Sequence, residues 1–114
     1  MSLIAPTPKP PYYAVIFTSV LFSPDNEYIE IAENMENIAK LQPGYIGLES
    51  ARDTSLLGIT VSYWKDEKSI LNWKNNVDHQ LAQKYGKEKW YQSYTVRITK
   101  VERSYGFEAE TSNG

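Results

Sequence analysis

The sequence predicts one α+β domain with six elements in the order strand, helix, strand, strand, helix, strand. One observation supports this order, and a second supports a single domain. Runs rich in β-branched and aromatic residues alternate with two runs whose apolar residues recur every three or four positions. At 114 residues and 41% hydrophobic content, the chain is long enough for a single domain with its own core.

The first half of the chain predicts a strand, a helix and a second strand. Residues 12–22 are apolar on both alternating faces, so both faces of this strand must be covered. Ser23-Pro24 is typical of a helix N-cap followed by the first helical position, and Pro43-Gly44 ends the helix. Residues 45–51 then form a shorter strand.

The second half predicts a hairpin partner, a helix and a last strand. Residues 56–64 pair with the preceding strand across a polar turn. The second helix begins at residues 65–67 and is expected to break at Asn75-Asn76, because asparagine is a poor helix former. The last strand covers residues 90–101. Its apolar alternation changes phase, which predicts a bulge near Lys100 and a short fifth strand.

This order is the ferredoxin-like βαββαβ arrangement, an antiparallel sheet whose first and third strands are central. Two helices cover only one face of such a sheet. Since the first strand is apolar on both faces, a second copy of the sheet is expected on the other face, which predicts a homodimer. Residues 1–11 are expected to form a proline-rich arm, residues 12–107 the domain, and residues 108–114 a disordered tail.

Composition excludes several classes of function. A net charge of -2 provides no basic surface for nucleic acid or an anionic membrane. No apolar run is long enough to span a bilayer. With no cysteine and one histidine, thiolate metal sites, disulfides and sites with two imidazoles are excluded, and no metal is expected. The absence of cysteine and of a signal segment predicts a cytoplasmic protein.

Three short signals lie around the predicted strands. They are Gln42-Pro43-Gly44-Tyr45, Val61-Ser62-Tyr63-Trp64, and Trp73 nine residues after Trp64. With them, residues 12–101 resemble the antibiotic-biosynthesis monooxygenase (ABM) domain of the dimeric α/β-barrel superfamily. That family includes cofactor-free quinone-forming oxygenases and haem-degrading monooxygenases. The resemblance implies a dimeric α/β barrel that uses dioxygen.

The haem-degrading branch of the family is the less favoured match. In that branch a histidine ten residues after the second tryptophan binds iron, and Gln83 stands there in this chain. The branch also uses an asparagine in the first strand, where this chain has Phe17-Thr18. Only Trp73 carries over, so the resemblance implies an oxygenase without a cofactor, with haem as the alternative.

His79 is the candidate general base, because imidazole is the side chain that titrates near neutral pH. It would face the sheet only if the second helix breaks, and otherwise lies on the surface. Arg97 and Asn72 are candidate partners for a developing oxyanion, against the alternatives of a solvated edge charge and a surface amide. The candidate substrate-binding residues are aromatic: Trp73, Trp64, Tyr63 and Tyr94. Core packing is the alternative for the two tryptophans, and packing with a dimer contact is the alternative for Tyr94.

Together these features predict a small-molecule monooxygenase. The base would remove a proton from an aromatic substrate of the phenolic or quinol type, and the resulting carbanion would react directly with dioxygen. Two alternatives stay open at this point. One is a haem-degrading type of monooxygenase, and the other is a non-catalytic dimeric module that binds a hydrophobic small molecule.

Overall fold

The structure is a computed structural model that describes residues 3–23, 26–84 and 90–110, without the side chains of residues 78–84. Its sheet is antiparallel, with strand order β2-β3-β1-β4. This confirms the ferredoxin-like arrangement with the first and third strands in the centre. The elements are β1 (Tyr12–Leu21), α1 (Asn26–Ala39), β2 (Tyr45–Arg52), β3 (Leu57–Trp64), α2 (Glu67–Lys84) and β4 (Tyr91–Val101). None of the described helices is long and apolar enough to cross a membrane.

Residue pairing between β1 and β3 defines the two faces of the sheet. Phe17 pairs with Thr60 and Ser19 pairs with Gly58, so these residues share one face. Trp64 lies on that face and packs against both helices, and we call it the helix face. The other side is the far face. It carries the alternate residues of the two central strands: Tyr12, Ala14, Ile16, Thr18, Val20, Leu57, Ile59, Val61 and Tyr63.

Two hydrophobic clusters cover the helix face, each around one buried tryptophan. The Trp64 cluster contains Ala39, Trp64 and Ile70, with Tyr13, Val15, Tyr45 and Trp73 packed against them. The Trp90 cluster contains Leu21 and Trp90, with Tyr28, Ile31, Met35, Leu56, Val77 and Tyr91 packed against them.

The start of α2 is fixed by a cap and by the turn before β2. Asp66 is the N-cap, and its Oδ1 accepts hydrogen bonds from the Ser69 amide at 2.8 Å and the Ser69 hydroxyl at 2.7 Å. Gly44 lies directly against Ser69 with a φ of 84°. A Cβ at this position would come within 2.0 Å of the Ser69 hydroxyl. Only glycine fits this turn, which explains the Pro43-Gly44 pair.

The expected break at Asn75-Asn76 is wrong, because α2 is one continuous helix from Glu67 to Lys84. The low helix propensity of asparagine is a weak preference that tertiary packing overrides. Trp73 and Val77 pack toward the sheet on either side of the pair. The Asn76 amide donates to the Asn72 carbonyl at 3.3 Å and to Gln42 Oε1 at 3.4 Å.

The expected bulge near Lys100 is also wrong. Lys100 and Val101 pair in unbroken register with β1, and β4 is exposed on both faces along most of its length. An edge strand exposed in this way is under no pressure to keep a strict alternation. No fifth strand follows in the described residues 102–110, and Tyr105 and Phe107 are almost fully exposed.

A bulge does occur at the other end of β4. Val20 pairs with Ser93 and Leu21 pairs with Tyr91, so Gln92 is an extra residue in β4. Skipping one residue moves Tyr91 to the same face as Tyr94. The bulge therefore turns the Tyr91 ring toward the helices.

The N-terminal arm packs on the far face beside β2. The Ala5 amide donates to Glu49 Oε2 at 2.8 Å, and the Tyr63 hydroxyl donates to the other oxygen of the same carboxylate. The Tyr12 hydroxyl donates to Thr7 at 3.1 Å, and the rings of Tyr12 and Tyr63 meet edge to face. The arm therefore covers the part of the far face that lies over β2 and the neighbouring end of β1.

Candidate active site

A pocket of about 400 Å³ lies between the helices and the helix face of the sheet. It lies between the two hydrophobic clusters. In its lining, Trp73 belongs to the Trp64 cluster, and the residues of the Trp90 cluster are Tyr28, Met35, Val77 and Tyr91. A volume of this size suits a small organic ligand. The pocket is lined by Phe17, Tyr28, Ala32, Met35, Glu36, Ala39, Leu48, Ser50, Ala51, Arg52, Thr60, Trp73, Val77 and Tyr91.

The apolar walls of the pocket are held by contacts between aromatic rings. Trp73 stacks on the fully buried Trp64, with ring centroids 6.2 Å apart and planes 24° from parallel. Phe17 meets Tyr91 edge to face at 5.7 Å and stacks on Tyr94 at 5.4 Å. These contacts fix flat surfaces on which a planar ligand can stack.

Two phenols, Tyr28 and Tyr91, stand at the Trp90 side of the pocket. Their ring centroids lie 6.0 Å apart with planes at 85°. Burial, and next the proximity of Tyr28, raise the pKa of Tyr91 far above its ordinary value. The Tyr91 phenol, which also shares a side-chain hydrogen bond with Tyr28, therefore stays protonated at neutral pH.

Arg52 is the last residue of β2, and its side chain extends across the sheet at the pocket. Its Nη1 donates to the Ser19 carbonyl at 3.2 Å and to the Leu56 carbonyl at 2.6 Å. Its Nη2 donates to the Ser19 hydroxyl at 2.8 Å. The guanidinium lies directly over Gly58, where a Cβ would come within 2.3 Å of Cζ. Gly58 thus leaves the space that this side chain occupies.

Glu36 on α1 adds a carboxylate to the lining. Its Oε1 lies 3.8 Å from Lys40 Nζ, one helical turn away. Burial, and secondarily the negative charge of Glu36, raise the pKa of the neighbouring Tyr45. Glu36 is the one carboxylate in the described lining of the pocket.

Three of the sequence-predicted residues lie at or near the pocket. Trp73 lines it. Trp64 lies behind Trp73 in the core, where its indole N–H donates to the Ser62 hydroxyl at 2.8 Å. Tyr94 stacks on the outer side of Phe17 and is itself outside the lining.

Three other predicted residues lie elsewhere. Tyr63 is on the far face, where burial and a hydrogen bond to Glu49 raise its pKa to about 12. Arg97 pairs with Ile16, which places it on the far face as well. Asn72 is exposed on α2 in a polar surface depression with Gln42, Asn75 and Asn76.

His79 falls within the continuous helix α2, and its side chain lies outside the described residues. The helix break that was expected to turn it toward the sheet is absent. Its role as general base stays a prediction. Among the described residues, no group of three or more His, Asp or Glu side chains is placed to hold a metal ion.

Sequence reasoning missed Arg52, Glu36 and Tyr91. Arg52 was assigned to a polar turn, although it continues the alternation of Leu48 and Ser50 along β2. That alternation was the available signal. No pattern in the sequence indicates the orientation of Tyr91, because this orientation depends on a one-residue bulge.

Solved structures with low sequence identity share this fold. PA3566 from Pseudomonas aeruginosa matches with a TM-score of 0.61 at 19% identity, covering 87% of this chain and 100% of that one. SO0527 from Shewanella oneidensis matches with a TM-score of 0.65 at 11% identity, over 80% and 91% of the two chains. A candidate monooxygenase from Shewanella loihica PV-4 matches with a TM-score of 0.56 at 15% identity, over 82% and 98%.

Sequence comparison gives two curated relatives. No protein-family profile matches the chain. The jasmonate monooxygenase ABM of Pyricularia oryzae is 30% identical over 95 residues, which are 81% of this chain and 44% of the fungal protein. The chain thus spans less than half of that relative. YqjZ of Bacillus subtilis, an uncharacterised protein, is 45% identical over 113 residues, covering 99% of each chain. The protein therefore belongs to the family of YqjZ.

Proposed function

We propose that the protein is a monooxygenase that oxidises a small, flat substrate of the phenolic or quinol type, without a metal or organic cofactor. The pocket between the two clusters is the observation that carries this proposal. It is large enough for two or three fused rings, and Trp73 and Phe17 offer planar surfaces for stacking. Similarity to the fungal enzyme named jasmonate monooxygenase supports the reaction class.

The proposed reaction converts an activated CH₂ group into a carbonyl. Glu36 removes a proton, and the carbanion reacts with dioxygen to form a hydroperoxide. Loss of water from the hydroperoxide leaves the carbonyl, so one oxygen atom enters the product and the other leaves as water. The substrate gives up four electrons and dioxygen accepts four, so no external reductant is needed. His79 remains the alternative proton acceptor.

Protein side chains in this proposal stabilise charge and exclude water. Tyr91 lines the pocket, and its phenol would donate to an oxygen that becomes negative as the proton leaves. Arg97 and Asn72 were expected in that role, but they lie outside the pocket lining. The apolar walls keep water from the carbanion before dioxygen reaches it.

The test uses 1,8-dihydroxyanthrone, whose CH₂ group is activated by the adjacent rings. We expect protein treated with a chelator to consume one dioxygen per quinone formed, above the rate of uncatalysed oxidation. Glu36→Gln should lower turnover about 10²-fold, the usual scale for a general base. Leu71→Ala, an exposed position on the outer side of α2, is the control and should keep full activity.

Two results would contradict the proposal, and a third would change only the assignment of the base. The probe could bind and leave unchanged under oxygen, which favours a binding module. Activity could appear only after haem is added, which favours the haem-dependent alternative. Full activity in Glu36→Gln with loss in His79→Ala would move the base to His79 and leave the reaction class standing.

We also propose that the protein is a homodimer. The far face carries exposed apolar side chains on its central strand β3, with Leu57 39% and Ile59 44% exposed. Light scattering should give about twice the 13.1 kDa mass of the chain. Ile59→Asp should shift the mass toward the monomer, and Ile29→Asp on the exposed side of α1 should not. A stable monomer at micromolar concentration contradicts the proposal.

A further inference from the structure

Arg52 carries the one positive charge in the described lining of the pocket. Glu36 is the other charged residue of the described lining, and it has Lys40 as its partner. Within the described part of the chain, no carboxylate lies in ion-pair distance of the Arg52 guanidinium. The carboxylate of the next residue, Asp53, accepts hydrogen bonds from Ser55, and the charge of Arg52 contributes last to lowering the pKa of this carboxyl.

The guanidinium is held rigidly but is not saturated. Arginine carries five N–H donors, and three hydrogen bonds to Ser19 and Leu56 are formed. Ser19 is almost completely buried, so its carbonyl and hydroxyl are fixed acceptors. Two N–H donors, on Nε and Nη2, remain for a ligand. Because the side chain is already ordered, a ligand that binds these two N–H groups would cost little further side-chain entropy.

Among the described lining residues, none beside Arg52 supplies a counter-ion from another direction. The neighbouring Tyr91 stays a neutral phenol, since burial raises its pKa. The remaining described lining beside Arg52 is neutral, with Ser50 and Thr60 as hydroxyl groups and Leu48 and Phe17 as apolar groups. A fixed positive charge at the edge of an apolar pocket favours a ligand that combines a flat apolar body with an anionic group.

We propose that Arg52 is the anion-binding residue of this pocket and that the substrate carries a carboxylate beside its flat apolar ring. The inference rests on the proposed function for the identity of the pocket as a substrate site, and it adds the chemical class of the substrate. Gly58 contributes to this anion-binding site, because the guanidinium can occupy its position only over a residue without Cβ.

The experiment compares two probes of the same shape by calorimetry, 2-naphthoate and its neutral amide, 2-naphthamide. The wild-type protein should bind 2-naphthoate about tenfold more tightly or better, because charge-assisted hydrogen bonds to a carboxylate are the stronger ones. Arg52→Gln should reduce this ratio to about one and leave the affinity for 2-naphthamide almost unchanged. Arg103→Gln removes the same charge from an exposed residue outside the pocket and should keep the ratio.

A second variant covers the case in which Arg52→Gln fails to fold. Gly58→Ala keeps the arginine but places a methyl group where the guanidinium lies, so it should also reduce the ratio. Equal affinities for the two probes in the wild-type protein, or binding of neither, would overturn the proposal. An unchanged ratio in Arg52→Gln would overturn it as well. Oxidation of 1,8-dihydroxyanthrone, which has no carboxylate, tests the oxygenase function separately.

Discussion

The two clusters on the helix face are built differently around their tryptophans. Trp64 lies on a central strand, is 0% exposed, and has its N–H bound to Ser62. The capped start of α2 and the Gly44 turn lie beside it. Trp90 precedes the edge strand β4 and packs against Tyr28 and Tyr91, whose phenols belong to the pocket.

This difference indicates a division of roles within one small core. The Trp64 cluster supplies a rigid support behind Trp73, and its other members are mostly aliphatic or aromatic groups without a part in the pocket. The Trp90 cluster supplies polar groups at the pocket itself. Substitutions in the Trp64 cluster should therefore act on stability, and substitutions beside Trp90 should act on binding.

The largest effect is expected for Trp64→Ala. Removal of a fully buried indole leaves a cavity beneath Trp73 and should lower the free energy of unfolding by about 3–5 kcal/mol. Urea denaturation followed by far-UV circular dichroism measures this. Leu71→Ala, at an exposed position of α2, should stay within about 0.5 kcal/mol of wild type. Similar losses in both variants would contradict the support role of Trp64.

Gly44→Ala should destabilise through the same cluster. The backbone at φ 84° is strained for alanine, and the new Cβ would clash with Ser69 in the first turn of α2. We expect a loss of about 2–3 kcal/mol in thermal or urea unfolding. Gly106→Ala is the matched control, since a Cβ there meets no atom within 4 Å. Equal stability of the two alanine variants would show that the Gly44 turn does not constrain α2.

Tyr91→Phe should separate binding from stability. The change keeps the ring contacts with Phe17 and Tyr28 and removes only a hydroxyl, so stability should fall by about 1 kcal/mol or less. Turnover of 1,8-dihydroxyanthrone should fall severalfold, because the donor to the developing oxyanion is lost. Unchanged turnover together with a large loss of stability would reverse the roles assigned to the two clusters.

The smallest effect concerns the Asp66 cap and depends on pH. Hydrogen bonds from Ser69 hold the pKa of Asp66 below its ordinary value of 3.8, so the folded state favours the carboxylate. The cap therefore stabilises the protein above that ordinary pKa, and the contribution is lost as the pH falls through the lower folded value. The stability difference between wild type and Asp66→Asn should shrink between neutral pH and about pH 3. A difference independent of pH would contradict this.

Much of the fold follows from local patterns in the sequence. The alternation in residues 12–22 and 56–64 predicts the two central strands, and the three- and four-residue spacings predict both helices. The sheet order then follows from the ferredoxin-like arrangement, in which the first and third strands are central. These features depend on residues close together along the chain, which explains why they can be read without a structure.

The site depends on relations that local patterns do not contain. Arg52 matters because the register brings it beside Gly58 and Ser19, which come from two other strands. Tyr91 matters because one extra residue in β4 turns it inward. The polar candidates Arg97 and Asn72 were chosen by residue type, and the topology places both outside the pocket.

The arm beside β2 has a consequence for assembly. Ala5 and Tyr63 donate to the two oxygens of Glu49, so the described part of the arm is held at the β2 edge of the sheet. The opposite margin, at β4, carries no such layer in the described chain. A second sheet packed on the far face would contact the arm at the β2 edge and the uncovered strand at the β4 edge. Two stacked copies would therefore sit displaced sideways, with β1 and β4 near the two-fold axis and β2 at the periphery.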